Sequence, residues 1–257
     1  MDTTQDKRLF LIDAYAMIFR GYYALIRSPR LTSKGMNTSA IFGFTNSLIE
    51  LIKREKPTHL AVVFDVGGKT LRHDDFEEYK ANRSETPEAI KIAVPYIHQI
   101  LEAMHIPILG VEGYEADDVI GTLSCKAEKE GYNVYMVTPD KDFAQLVTDR
   151  VKIYKPGLKG GDIEILGVEE VKAKYEIHDP KQVIDFLAMM GDSVDNIPGL
   201  EGVGEKTAKK FLQDYGTIEN LLANTADLKG KLKEKVEASA ERGILSKNWQ
   251  LLLPMHQ

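Results

Sequence analysis

Nine carboxylates stand where a folded chain could gather them: Asp13, Asp65, Glu115, Asp117, Asp118, Asp140, Asp142, Asp192 and Asp195. Three close apolar runs, RLFLID (8–13), THLAVVFD (58–65) and YNVYMVTPD (132–140). A single aspartate ahead of a helix is an ordinary N-cap, and that is the plainer account of Asp13, Asp117 or Asp142 taken alone. The set is harder to explain that way. Gathered without cations, these acids repel one another at neutral pH, and burial raises their pKa values. The histidines are scattered and there is one cysteine, Cys125, in a helical stretch where a small buried residue is the plainer reading. A cysteine-zinc site is therefore excluded, and an all-oxygen donor set selects a hard divalent ion, Mg2+ or Mn2+. Two such ions roughly 3.5–4 Å apart bind a phosphate jointly and activate a water for in-line attack. The acids outnumber what two ions need directly, so some must act through water or by orienting others. DKDFAQ (140–145) is not an EF-hand loop, because it lacks the third acid and the glycine.

A second chemistry lies beside Asp192 and Asp195. IPGLEGVGEKTAKKF (197–211) has the spacing of a helix–hairpin–helix, with Gly199, Gly202 and Gly204 in the turn and Lys206, Lys209 and Lys210 on the following helix. Glycines let backbone N–H groups approach a phosphate, and a helix N-terminus favours an anion. Such a grip holds backbone and not sequence. A structural corner between two helices is the alternative. Acids and hairpin make sense as two sites on one rigid turn, one facing the phosphate to be cut and one holding a phosphate further along. A third stretch, VGGKTLRHDDFEEYKANRSETPE (66–88), interleaves Lys69, Arg72, Lys80 and Arg83 with Phe76 and Tyr79. Cations that track phosphates and rings that stack on bases suit a single strand. Its acids, Asp74, Asp75, Glu77 and Glu78, weaken that reading, and most charge runs are solvated faces.

Certain elements must position these groups. The apolar runs at 8–13, 58–65, 106–109 and 132–140 predict parallel strands, separated by helices over 15–27, 39–54, 87–104, 116–130 and 142–147. This is an α/β architecture, a mostly parallel sheet flanked by helices, and ligands of such sheets bind outside the carboxyl ends of the strands. From about 168 the pattern turns helical throughout. The 257 residues suffice for one large domain or two small ones, and 43% hydrophobic content supports a sizeable core. The apolar stretch RLFLIDAYAMIFRGYYALI is broken by Asp13 and Arg20, so neither a signal peptide nor a membrane span is expected. A cytoplasmic, reducing setting suits the single cysteine. The net charge of −6 argues against nucleic acid until the acids are assigned to ions.

Five blocks, LFLIDAYAMIFRGYYA, VVFDVGGKTLRHDDFEEYKANR, GYEADDVIGTL, TPDKDFAQLV and MMGDSVDNIPGLEGVGEKTA, occur in order from residue 8 onward. In these the chain resembles the 5′ nuclease domain of bacterial DNA polymerase I, within the flap endonuclease superfamily. The resemblance implies a Mg2+-dependent 5′-3′ exonuclease and flap endonuclease with a PIN-like core over 1–178 and a helical arch over about 66–95. It also implies a helix–hairpin–helix subdomain over 179–247. All nine acids match the family's two-ion site, with Asp13, Asp65 and Asp140 central to catalysis. Lys80 and Arg83 match its arch base, near the scissile phosphate, and Arg20 and Tyr79 match positions linked to substrate handling. A K+ ion at the 199–204 hairpin, bridging to DNA, belongs to the same pattern. Implied partners are DNA with 5′ flaps, nicks or RNA primers, and a fused or separate polymerase; the implied state is a monomer associated with the nucleoid. Two alternatives are a non-catalytic DNA-structure binder and a related metal-dependent ribonuclease. Residues 248–257, NWQLLLPMHQ, depart from the family's K-L-A-T-I pattern. Reverse translation offers a codon path, AAA AAC TGG CAA CTA TTA TTA CCA, in which one A added after the Lys247 codon yields K-K-L-A-T-I-I-T, so this tail is expected to be an out-of-frame reading.

Overall fold

The computed structural model describes residues 6–67, 80, 85–157 and 162–252. Six strands form one sheet in the order β3-β2-β1-β4-β5-β6. They are β1 (Arg8–Asp13), β2 (His59–Val63), β3 (Ile108–Leu109), β4 (Asn133–Val137), β5 (Val151–Lys155) and β6 (Glu164–Leu166). The first five are mutually parallel, and β6 pairs antiparallel with β5. The strands expected from apolar runs are present, β1 over the expected residues 8–13 and the other three shorter at their ends. β5 and the edge strand β6 add to them.

Period-two alternation on β1 divides the interior. Phe10 and Ile12 enter the core under α1 (Ala14–Ala24), α2 (Ser39–Glu55) and α3 (Glu88–Ala103), whereas Leu11 enters the core on the opposite face. That second core contains α4 (Ala116–Lys129) and is continuous with the helical half. Its members there include Phe186 of α6 (Val183–Met190), reached after α5 (Val168–Tyr175), and Phe211 of α7 (Glu205–Tyr215). The helices α8 (Ile218–Ala223), α9 (Gly230–Ala238) and α10 (Ala240–Gln250) follow among the described residues. A shared core fixes the hairpin rigidly against the sheet, because close-packed interiors do not slide. The stretch expected to be helical over 142–147 is a single 3-10 turn, Asp142–Leu146.

The expected arch lies for the most part outside the described residues, and so do Lys69, Arg72, Tyr79 and Arg83. Of the atypical tail, residues 248–252 are described. α10 runs on to Gln250, and Gln145 Nε2 donates to the Gln250 carbonyl at 2.9 Å while its Oε1 accepts the Leu252 N–H at 3.1 Å.

Candidate active site

Strand order reverses between β1 and β4, so a crevice opens beyond their carboxyl ends. The acids sit there for local reasons. Asp13 ends β1 and caps α1: its Oδ1 accepts the Ala16 N–H at 3.0 Å, and Thr138 Oγ1 donates to its Oδ2 at 3.2 Å. Asp65 follows β2 and accepts the Ala116 N–H at 2.6 Å, which ties it to the start of α4. Glu115 caps α4 and closes a capping box with Asp118, whose Oδ2 accepts the Glu115 N–H at 3.3 Å. Asp117 lies in the same first turn, where the helix dipole favours negative charge. Asp140 follows β4; its N–H donates to Thr138 Oγ1 at 3.2 Å, and its Oδ1 accepts the Asp142 N–H at 2.9 Å.

Two acid groups result, and Asp140 belongs to both. The first lines a cleft of about 300 Å³ with Asp13, Asp65, Glu115, Asp117 and Asp140, walled by Tyr15 and Phe19 and entered by Lys80. Lys80 Nζ donates to both oxygens of Glu115 at 2.9 Å. The second comprises Asp140, Asp142, Asp192 and Asp195, which repel one another. Asp192 and Asp195 lie in a turn directly after α6, closed by reciprocal backbone hydrogen bonds between Asp192 and Ile197 at 2.8 and 2.7 Å. Lys141 Nζ meets Asp192 Oδ2 at 3.0 Å.

The electrostatics follow from burial. Asp13 is pushed up to about 6, first by desolvation and then by Asp65 and Asp140. Asp142 is pushed up to about 8, by desolvation and then by Asp140. Burial also holds Asp117 well above, and Asp140 above, the usual carboxylate range. Asp142 Oδ1 is buried with no hydrogen-bond partner among the described residues. Acids held partly protonated beside an orphaned carboxylate oxygen fit hard divalent ions, which would replace the protons. Among the described residues no three acidic, histidine or cysteine groups close on one point as a finished ion cage. That suits an ion such as Mg2+, which keeps several waters and takes few protein ligands.

The hairpin is built by close backbone approach. A Cβ on Gly199 would lie 2.5 Å from the Gly191 nitrogen, and Leu200 N–H donates to the Met189 carbonyl at 2.8 Å. Gly202 has φ +77°, and Gly204 caps α7 with open space where its Cβ would be. Lys206 and Lys210 line a groove of about 540 Å³ against the α8–α9 connection. Lys209 is held instead by Glu176 at 3.3 Å and Glu205 at 3.1 Å. Arg20 donates to the Gly157 carbonyl and lines a different cavity, between α1, α2 and β5, and not the acid cleft. Sequence reasoning passed over Tyr15, Thr138 and Lys141. Thr138 could have been suspected from its place between a strand end and Asp140.

Acids gathered at a parallel sheet's carboxyl edge, joined through a shared core to a helical hairpin unit, suit the class of metal-dependent nucleases. The chain belongs to the 5′-3′ exonuclease family. Residues 8–176 match its N-terminal resolvase-like domain and residues 178–252 its C-terminal SAM fold. The chain is 43% identical over 248 residues to DNA polymerase I of Bacillus subtilis (strain 168), covering 95% of this chain and 28% of that protein. It is 42% identical over 218 residues to the 5′-3′ exonuclease of Aquifex aeolicus (strain VF5), covering 85% and 73%. It thus spans little more than a quarter of the polymerase relatives it matches. Its fold is similar to that of the T5 D15 protein co-crystallised with metal ions, with a TM-score of 0.75 at 22% identity, covering 96% and 90%. Among the described residues no helix is long and apolar enough to cross a membrane.

Proposed function

We propose that this chain is a structure-dependent 5′ nuclease that hydrolyses phosphodiester bonds at 5′ flaps and ends of duplex DNA, in RNA-primer removal and repair. The observation that carries this reading is the pair of acid groups sharing Asp140 at the sheet's carboxyl edge. The first group, Asp13, Asp65, Glu115 and Asp117 with Asp140, would hold one divalent ion, with Asp118 acting from behind Glu115 through the capping box. The second, Asp142, Asp192 and Asp195 with Asp140, would hold another. Bound there, Mg2+ or Mn2+ supplies charge neutralisation at the scissile phosphate and a water of lowered pKa.

The chain's own residues do the rest. Glycines 199–204 and the start of α7 grip a duplex phosphate through backbone N–H groups, with Lys206 and Lys210 adding charge. A K+ ion held by hairpin carbonyls belongs to this reading. Tyr15 and Phe19 exclude water from one wall of the cleft. Lys80, beside Glu115, meets charge that develops on the phosphate, and Arg83 joins it from the arch base. Lys69, Arg72 and Tyr79 contact the 5′ single strand, while Arg20 and Lys209 serve DNA from positions outside the cleft. The acids, neutralised by ions in the working protein, account for DNA binding by an acidic chain. The protein works as a monomer in the bacterial cytoplasm, alone or joined to a polymerase as in the relatives that carry one.

Cleavage of a 5′-flap DNA and a matched RNA in Mg2+, by the protein and by Asp140→Asn, tests this. The expected result is flap DNA cut near the junction, abolished by Asp140→Asn and by EDTA. Tight flap binding with no cleavage in Mg2+ would favour a DNA-structure binder, and preferential RNA cutting a ribonuclease.

A further inference from the structure

Lys141 sits between two acids of the second group, Asp140 and Asp142, and its Nζ meets a third, Asp192, at 3.0 Å. Asp192 is 8% exposed. Its Oδ2 faces the ammonium, and its Oδ1 accepts the Val194 N–H at 2.8 Å. Both oxygens of this carboxylate are therefore engaged within the protein. The groups that face Asp142 most strongly are Asp140, Lys141, Asp192 and Asp195, so Lys141 stands among four acids, while Lys155 reaches Asp140 from β5. The lysine's backbone lies in the strand-end turn, and the ammonium cannot leave the neighbourhood; it can only swing on its tether. The side chain of Lys141 is 36% exposed, which leaves it room to do so.

A divalent ion that takes Asp192 must share it with, or win it from, an ammonium already in place. The same positive charge repels the ion. Without the ammonium, Asp192 would stand buried among like charges in the metal-free protein, an arrangement that is costly. Resting on the two-ion reading above, we propose that Lys141 is a positioning residue. It keeps Asp192 in its ligating orientation while the ion is away and lowers that site's affinity, so that the second ion enters last and leaves first. The first acid group has its own internal cation, Lys80 on Glu115, but there the lysine enters from outside the acid turn and faces the cleft.

Mn2+ binding followed by electron paramagnetic resonance, in the wild-type chain and in Lys141→Met, tests the proposal. The wild type is expected to show a tighter and a weaker class of ion. In Lys141→Met the weaker class tightens by roughly tenfold, the order expected for removing one partly screened charge near a dication. The tighter class changes less, because of the first group's acids only Asp140, which both groups share, has Lys141 among its main electrostatic neighbours. Mn2+ should also raise the melting temperature more in the variant, because its metal-free state has lost the counter-charge. Lys141→Arg should restore the wild-type isotherm, and Lys141→Gln gives the same comparison as methionine if that substitution impairs folding. A weaker class that is unchanged or loosened in Lys141→Met, with wild-type binding intact, overturns this inference and leaves the two-ion reading standing. Absence of Mn2+ binding by the wild type overturns both.

Discussion

Lys80 holds Glu115 with its side chain, Nζ lying 2.9 Å from each carboxylate oxygen, while its backbone N–H donates to the Asp195 carbonyl at 3.0 Å. One residue thus ties the base of the expected arch to both acid groups. Both side chains are largely enclosed, at 16% and 8% exposure, so the pair is shielded from solvent screening.

Lys80→Met should therefore slow the chemical step more than it weakens substrate binding. The loss expected from removing one donor to developing charge is about 10²–10³-fold in single-turnover rate. Quench-flow cleavage of a labelled flap, set beside its binding in Ca2+, separates the two effects. A variant that loses affinity but keeps its rate would assign Lys80 to holding DNA alone.

The buried acids predict how stability varies with pH. Asp13 at about 6 and Asp142 at about 8 both stand above the unfolded carboxylate value of about 3.9. Between those values the folded chain binds more protons than the unfolded one, so metal-free stability rises as pH falls from 8 to 6 and is lost as pH rises. Divalent ions take the protons' place, and Mg2+ should raise the melting temperature more at pH 8 than at pH 6. Scans at several pH values with Mg2+ or EDTA check this; a metal-free melting temperature that climbs with pH over the window would contradict it.

Gly199 and Gly204 should separate folding from binding. At Gly199 a new Cβ meets backbone atoms of Met190 and Gly191 at 2.5 Å, and backbone cannot give way cheaply. Gly199→Ala should cost about 1–3 kcal/mol of stability by overpacking. At Gly204 a Cβ meets nothing within 4 Å, and φ is −105°. Gly204→Ala should keep the melting temperature and lose affinity for duplex, because only an approaching phosphate would feel the methyl group. Denaturant melts and fluorescence anisotropy with duplex DNA measure the pair of effects.

Gln250 carries a different prediction. It is 2% exposed, and neither its Oε1 nor its Nε2 finds a hydrogen-bond partner among the described residues. An orphaned buried polar group costs about 1–3 kcal/mol. The reading frame restored by one inserted base would place alanine there. Gln250→Ala should raise the melting temperature, and a fall would show that the amide is satisfied after all. Sequencing the coding DNA is the companion test: codons that cannot regenerate K-L-A-T-I would exclude an out-of-frame tail.

The strands that deliver Asp13, Asp65 and Asp140 were legible because each apolar run ends at its acid, and a parallel sheet puts such ends on one edge. The hairpin was legible from glycine spacing. β5 was not, since VKIYK places its lysines three apart, at 152 and 155, which breaks a period of two, and the three-residue β6 is too short to show a period. Pairings were beyond reach for a different reason. Periodicity says which face a residue lies on, not which partner it finds. Lys209 resembled Lys206 in sequence, yet Glu176 from α5's end captures it; nothing in the sequence pairs Lys141 with Asp192, which it meets. Thr138 bonds Asp13 across strands that lie far apart in the chain.

The turn that carries Asp192 and Asp195 begins and ends at one place. Gly191 and Gly199 touch, Asp192 pairs with Ile197, and the hairpin hangs from Met189 through Leu200 and not from the turn. The hairpin is therefore anchored at the end of α6, where both ends of the turn are fastened. Asp192 and Asp195 ride on a loop closed at its own neck, so acids and hairpin share one anchor and the fold fixes the distance between them.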